Sequence, residues 1–120
     1  MKLKEYYILD FNYKNGERII EKIKVVGKPI ENVFMAKYFN SDDFYRKWAI
    51  YDIETGLSIC SAKTQKEVKE LYNNIYKNKY IALKKENDEI FIYGKELFKK
   101  AKEKVLDEKR KKYYEFGTRR

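Results

Sequence analysis

The sequence predicts an α+β fold: an antiparallel β meander of about four to five strands followed by two C-terminal α-helices. Three observations carry this prediction. Residues 6–13 alternate aromatic and branched side chains with polar ones and lead into Asn15-Gly16, the dipeptide that best supplies the positive φ angles of a tight hairpin. Residues 48–53 and 57–61 flank the turn Glu54-Thr55-Gly56 in the same manner. Thr64-Gln65-Lys66-Glu67 is a capping box that opens an apolar stripe of helical period.

Taken in order, Tyr6 to Tyr13 forms the first strand, with Tyr7, Leu9, Phe11 and Tyr13 on one face. Residues 18–26 return, with Ile19, Ile23 and Val25 on one face and Ile20, Lys22, Lys24 and Val26 on the other. Gly27-Lys28-Pro29 should end this pairing, because proline lacks a ladder donor. Residues 30–39 fit a third strand or a short helix starting at Pro29, with the strand preferred. Asn40-Ser41-Asp42-Asp43 reads as a loop before Phe44-Tyr45-Arg46. The second hairpin puts Trp48 and Ile50 on one side and returns through Leu57, Ile59 and Ser61.

The capped helix carries Val68, Leu71, Tyr72, Ile75 and Tyr76 as its stripe. Residues 80–93 leave two readings open: helix to about Lys85, or a hairpin around Lys85-Glu86-Asn87-Asp88 leading into Ile90-Phe91-Ile92-Tyr93. A last helix over about 95–114 would use Leu97, Phe98, Ala101 and Val105. The chain is expected to be a single domain, 1–120, with the meander in 1–63 and the helical part in 64–120.

Composition bounds the function. The net charge of +9 favours anionic partners, and a solvated lysine-rich surface is the plain alternative. Aromatics are 17% of residues, with 12 tyrosines, which suits half-buried and binding surfaces. The lone Cys60 excludes an internal disulfide and lies in an apolar run, as a buried structural thiol would. With no His in the chain, no Cys–His or Ser–His couple exists. No long apolar run or leader-like stretch is present, so the expectation is a cytoplasmic protein without membrane contact. Asp42, Asp43, Asp52 and Glu54 match no calcium-loop spacing and read as turn and cap residues, so no metal is expected. No phosphate-binding glycine motif and no pair of catalytic carboxylates appears. These features point to a binding protein that is not an enzyme and needs no cofactor.

The charge is concentrated at the C-terminus. Residues 95–120 hold 11 Lys/Arg against 5 Asp/Glu, a net of +6. Within Lys109-Arg110-Lys111-Lys112-Tyr113-Tyr114, Arg110 and Lys111 could grip phosphate while Tyr113 or Tyr114 stacks on a base. Arg119 and Arg120 end the chain. Cations balancing the negative end of a helix dipole are the structural alternative. Arg18 and Arg46 complete the arginines and flank predicted strands, where a surface ion pair competes with ligand binding.

The stretch Tyr7-Ile8-Leu9-Asp10-Phe11-Asn12-Tyr13, the hairpin from Lys47 to Ala62 and the capped helix from Thr64 together resemble a family of small phage anti-defence proteins. That family inhibits the Thoeris system by sequestering its cyclic ADP-ribose signal. The resemblance is one of architecture over most of the chain. It implies a homo-oligomer that binds its nucleotide intact. The expected function is therefore sequestration of an anionic nucleotide such as a cyclic nucleotide immune signal, in a protein encoded by a phage or mobile element. The alternative is a nucleic-acid-binding protein, or an inhibitor of a nucleoprotein defence complex such as a CRISPR effector.

Overall fold

Strands β1 (Lys4–Lys14), β2 (Glu17–Ile30), β3 (Val33–Lys37), β4 (Trp48–Asp52) and β5 (Ser58–Ala62) pair antiparallel in sequence order. The computed structural model describes residues 2–38, 47–108, 111 and 114. Helices α1 (Gln65–Leu71), α2 (Lys77–Lys85) and α3 (Glu89–Lys100) follow the meander, with α1 and α2 joined through a π-helical turn at Tyr72–Tyr76. The predicted α+β class holds. A two-residue strand, β6 (Lys102–Glu103), adds a parallel pairing to β2 at Glu21 and Lys22.

The first hairpin turns at Asn15 and Gly16, whose φ angles of 54° and 80° are those of a two-residue turn that follows the strand twist. The pairing of β2 with β1 ends at Gly27 as expected, but the strand itself does not break at Pro29. It changes partner instead, pairing with β1 as far as Gly27 and with β3 from Lys28 to Ile30. Pro29 lies one residue from the strand end, where little of the ladder remains to be lost, and its fixed φ suits extended chain. Residues 33–37 form the strand preferred above, not the helix.

β3 and β4 are buried on both faces. Phe34, Ala36, Ala49 and Tyr51 join Ile8, Ile23, Val25 and Tyr114 in one cluster. Val33, Met35 and Ile50 join Cys60, Val68, Tyr72, Tyr80 and Phe91 in the other, with Trp48 packed against it. The first cluster includes a ring stack: Tyr6 and Phe34 have ring centres 4.1 Å apart and nearly parallel planes, and Tyr51 lies 5.2 Å beyond. The β1–β2 hairpin thus folds over one face of β3–β4, and the helices cover the other. The curl brings the outer edge of β1 to the β4–β5 turn, where Leu9 N donates to Gly56 O at 3.0 Å. Gly56 has φ 71°, and a Cβ there would lie 2.8 Å from the Tyr7 carbonyl, so the closure requires glycine.

Thr64 caps α1 as its sequence predicts, its Oγ1 accepting from Glu67 N at 3.1 Å. The predicted stripe then fails at Ile75, which is 64% exposed, and at Tyr76. The π turn inserts a residue and rotates the buried face onto Tyr80, which meets Tyr72 edge to face at 6.4 Å. Residues 80–85 continue α2 and residues 89–93 open α3, so the helix reading holds and the hairpin does not form. α2 ends in a Schellman motif with Asn87 in the left-handed conformation, Asn87 N bonding to Lys84 O and Asp88 N to Leu83 O. Asp88 then caps α3, accepting from Ile90 N at 3.0 Å. α3 therefore starts earlier than the predicted 95–114 and breaks at Lys100, while Glu108 and Lys111 farther along are again helical. Val105, expected in its stripe, is 94% exposed. After Lys100 the chain runs along the edge of β2, where Lys104 N donates to Lys22 O and Val26 N donates to Tyr114 O.

Candidate functional site

The period of two sorts the β1–β2 hairpin into two unlike faces. One face buries Tyr6, Ile8, Ile23 and Val25 toward the core and, farther out, holds Asp10 and Glu21. Lys104 pairs with these acids, lying 3.2 Å from Asp10 Oδ2 and 3.9 Å from Glu21 Oε1, and Asn12 Nδ2 donates to both carboxylates. The opposite face holds four cross-strand pairs: Tyr7 with Lys24, Leu9 with Lys22, Phe11 with Ile20, and Tyr13 with Arg18. It is a strip of rings and cations.

The cations rest on the rings. Arg18 Cζ lies 4.7 Å from the centre of Phe11. Lys22 Nζ lies 5.1 Å from the centre of Tyr7 and 4.8 Å from that of Phe98, which α3 lays against Tyr7 edge to face. Lys24 Nζ stands 5.9 Å from Tyr7. Negative charge gathers at the Tyr7 end, where the Tyr7 hydroxyl donates to Glu103 at 3.0 Å. That hydrogen bond, with a little burial and the Glu103 charge behind it, raises the Tyr7 pKa and keeps it a donor. The strip is most purely basic and aromatic from Lys22 out to the hairpin tip, where Tyr13 is 75% exposed.

A second polar cluster ties the β4–β5 turn to the helices. Asp52, 1% exposed, accepts from Thr55 N at 2.9 Å and Thr55 Oγ1 at 2.8 Å through one oxygen. Its other oxygen accepts from the Tyr80 hydroxyl and lies 3.1 Å from Lys84 Nζ. Lys84 also pairs with Glu54, and Lys95 lies 3.4 Å from the same carboxylate. Burial and the bond to Asp52 push the Tyr80 hydroxyl up, so it stays protonated. This arrangement is a satisfied buried network whose parts cap a turn, as read for Asp52 and Glu54 from the sequence. Among the described residues no cluster of His, Cys, Asp or Glu could hold a metal ion. Cys60 is buried, and desolvation pushes its thiol up to about 11.

Of the residues singled out by sequence, Arg18 lies on the basic and aromatic strip. Lys111 is exposed and accepts through its carbonyl from Tyr114 N at 3.2 Å. Tyr114 is 4% exposed in the first core cluster, which gives its ring a packing role. Arg46, Arg110, Tyr113, Arg119 and Arg120 lie outside the described residues. The sequence reading missed Lys22, Lys24, Phe11 and Tyr13 as site residues. The signal was present: once Asn15-Gly16 fixes the turn, the register opposes Arg18 to Tyr13 and Lys22 to Leu9. No helix among the described residues is long and apolar enough to cross a membrane. No protein-family model, curated protein or solved structure matches the chain.

Proposed function

We propose that the protein is a non-enzymatic binding protein for nucleotide-type anions, and that the outer face of the β1–β2 hairpin is its binding surface. The observation that carries this reading is the strip of Arg18, Lys22 and Lys24 beside Phe11, Tyr13 and Tyr7 on one sheet face. A nucleotide needs cations for its phosphates and a ring face for its base, and the strip offers both within one or two residues. A cation over an exposed ring contributes about 0.5–1 kcal/mol. A base stacked on the same ring contributes about 1–3 kcal/mol, and the displaced cation gains a phosphate partner. The exchange therefore favours the ligand. Binding without turnover also agrees with a chain that has no His.

Sequestration of a cyclic nucleotide signal by a homo-oligomer, the form the family resemblance implies, is one version of this chemistry. Val26 and Tyr114 hold the described part of the C-terminal segment beside the strand that bears Lys22 and Lys24. The test is a thermal shift against linear and cyclic nucleotides and short single- and double-stranded DNA. A ligand at about 100 times its Kd should stabilise the fold by about 2.7 kcal/mol, a rise of several degrees. A shift with any nucleotide-type ligand supports the reading, and silence across the whole panel overturns it.

A further inference from the structure

We infer that the hairpin face takes a single-stranded nucleic-acid segment laid along the strands, with bases on the rings of β1 and phosphates toward the cations of β2. The inference rests on the nucleotide-binding reading and narrows it to a ligand class. Shape is the first argument. Small-molecule sites are concave and surround most of their ligand. From Phe11 outward, beyond the reach of Phe98, this face is an open two-stranded ribbon whose outermost ring, Tyr13, is the most exposed tyrosine of the strip. Length is the second. Tyr7 to Tyr13 spans six residues of extended chain, about 20 Å, which exceeds one nucleotide unit. Phe11 and Tyr13 are two residues apart, so they stand about 7 Å from each other on the same face, room for separate bases.

Charge placement is the third argument. The aromatic row belongs to β1 and the cationic row to β2, side by side in register through Tyr7–Lys24, Leu9–Lys22 and Tyr13–Arg18. A single strand has the same two-row design, bases along one side and phosphates along the other. Asp10 and Glu21 do not oppose it, because they lie on the other face beside Lys104, and the acids on this side, Glu5 and Glu103, stand at the Tyr7 end, away from Phe11 and Tyr13. A duplex fits poorly, because its bases are stacked inside and leave the rings nothing to cover. The interaction should be tolerant of sequence, since every base offers a stacking face.

The test is fluorescence anisotropy with a labelled oligo(dT) of about 12 nucleotides, within the range that single-strand-binding folds cover, and a duplex of the same length. The full-length chain should bind the single strand at least about tenfold more tightly than the duplex. Tyr13→Ala should weaken binding about tenfold, as loss of one stacked base does. Arg18→Ala should lower the slope of log K against log salt by about 0.7. Both sites are exposed, and unchanged melting temperatures check that the variants fold. Equal or tighter duplex binding overturns the inference, as does single-strand affinity untouched by both variants. If oligo(dT) fails while a mononucleotide or cyclic nucleotide still raises the melting temperature, this inference falls and the broader function stands. If every nucleotide ligand fails, both fall.

Discussion

The β3–β4 pair and the outer half of the β1–β2 hairpin are both antiparallel and both alternate, yet they end in opposite environments. In Val33-Phe34-Met35-Ala36 both alternating sets are apolar, so each face has its own layer to meet, and all four side chains are buried. In Phe11-Asn12-Tyr13 and its partners, each face carries a single isoleucine, Ile19 beside Asn12 on one and Ile20 beside Phe11, Tyr13 and Arg18 on the other, and neither can found a core. The comparison teaches that alternation alone places side chains on faces, while the chemistry of the second face decides whether anything covers it.

The sharpest way to break the comparison is Phe34→Ala. Phe34 lies between Tyr6 and Tyr51 with no exposed surface, so truncation leaves a cavity in the ring stack. The expected cost is about 3–5 kcal/mol in urea unfolding. A loss below about 1 kcal/mol would mean that β1–β2 does not cover this face in solution.

Asp52→Ala comes next, at about 3 kcal/mol, because it leaves Tyr80, Thr55 and the mostly buried Lys84 without their shared acceptor. The network also sets a pH window. The Lys84 hydrogen bond holds the Glu54 carboxyl below its ordinary value, against some burial. A depressed carboxyl contributes stability above its unfolded pKa, and the contribution disappears as pH falls through the folded value. Burial pulls the Lys84 ammonium down, but hydrogen bonds to Glu54 and Asp52 outweigh it, and the net direction is up. Its contribution is present below the unfolded lysine pKa and is lost as pH rises through the raised folded value. Stability should therefore decline below about pH 4 and above about pH 10, and Lys84→Met should flatten both limbs. A Lys84→Met profile parallel to that of the parent chain would remove the pair from the account.

Gly56→Ala tests how the two regions are joined. The added Cβ would press on the backbone of β1 in a left-handed conformation, for an expected cost of about 1–3 kcal/mol. Hydrogen exchange at the Leu9 amide should speed up, since its acceptor is the Gly56 carbonyl. Unchanged protection at Leu9 would show that the edge of β1 stands without the turn.

Local signals were legible where one short segment settles the outcome. Asn15-Gly16 fixed a turn and hence a register, Thr64 with Glu67 fixed a helix start, and Trp48 with Ile50 shared a side as read. The misses come from distant chain, which satisfies backbone groups or buries side chains that no local pattern pairs. α3 ends at Lys100 because residues 102–104 find the edge of β2, a partner some 80 residues away in sequence that no helical period encodes. β2 continues past Pro29 because β3 waits on its other side. The π turn at Tyr72–Tyr76 brings Tyr72 and Tyr80 close to one line, where a regular helix would hold them about 80° apart. Of the candidate site, Arg18 was legible. Its ring neighbours were assigned to a face but not to a task, because charge density drew the reading to the C-terminus.

Tyr13→Ala is the smallest expected effect and the most discriminating for the comparison. If the outer hairpin face is open, removing this ring changes unfolding free energy by no more than about 0.5 kcal/mol, against the several expected for Phe34→Ala. The measurement is urea unfolding at two protein concentrations an order of magnitude apart. A small loss, equal at both concentrations, keeps the face uncovered in the free protein and leaves the ring to a ligand. A larger loss that grows with concentration would instead place the ring under a second copy of the chain, because an interface stabilises by mass action and an isolated ring does not. In that case the strip of rings and cations would belong to the homo-oligomer contact that the family resemblance implies, and Arg18 and Lys22 would be read as its polar rim.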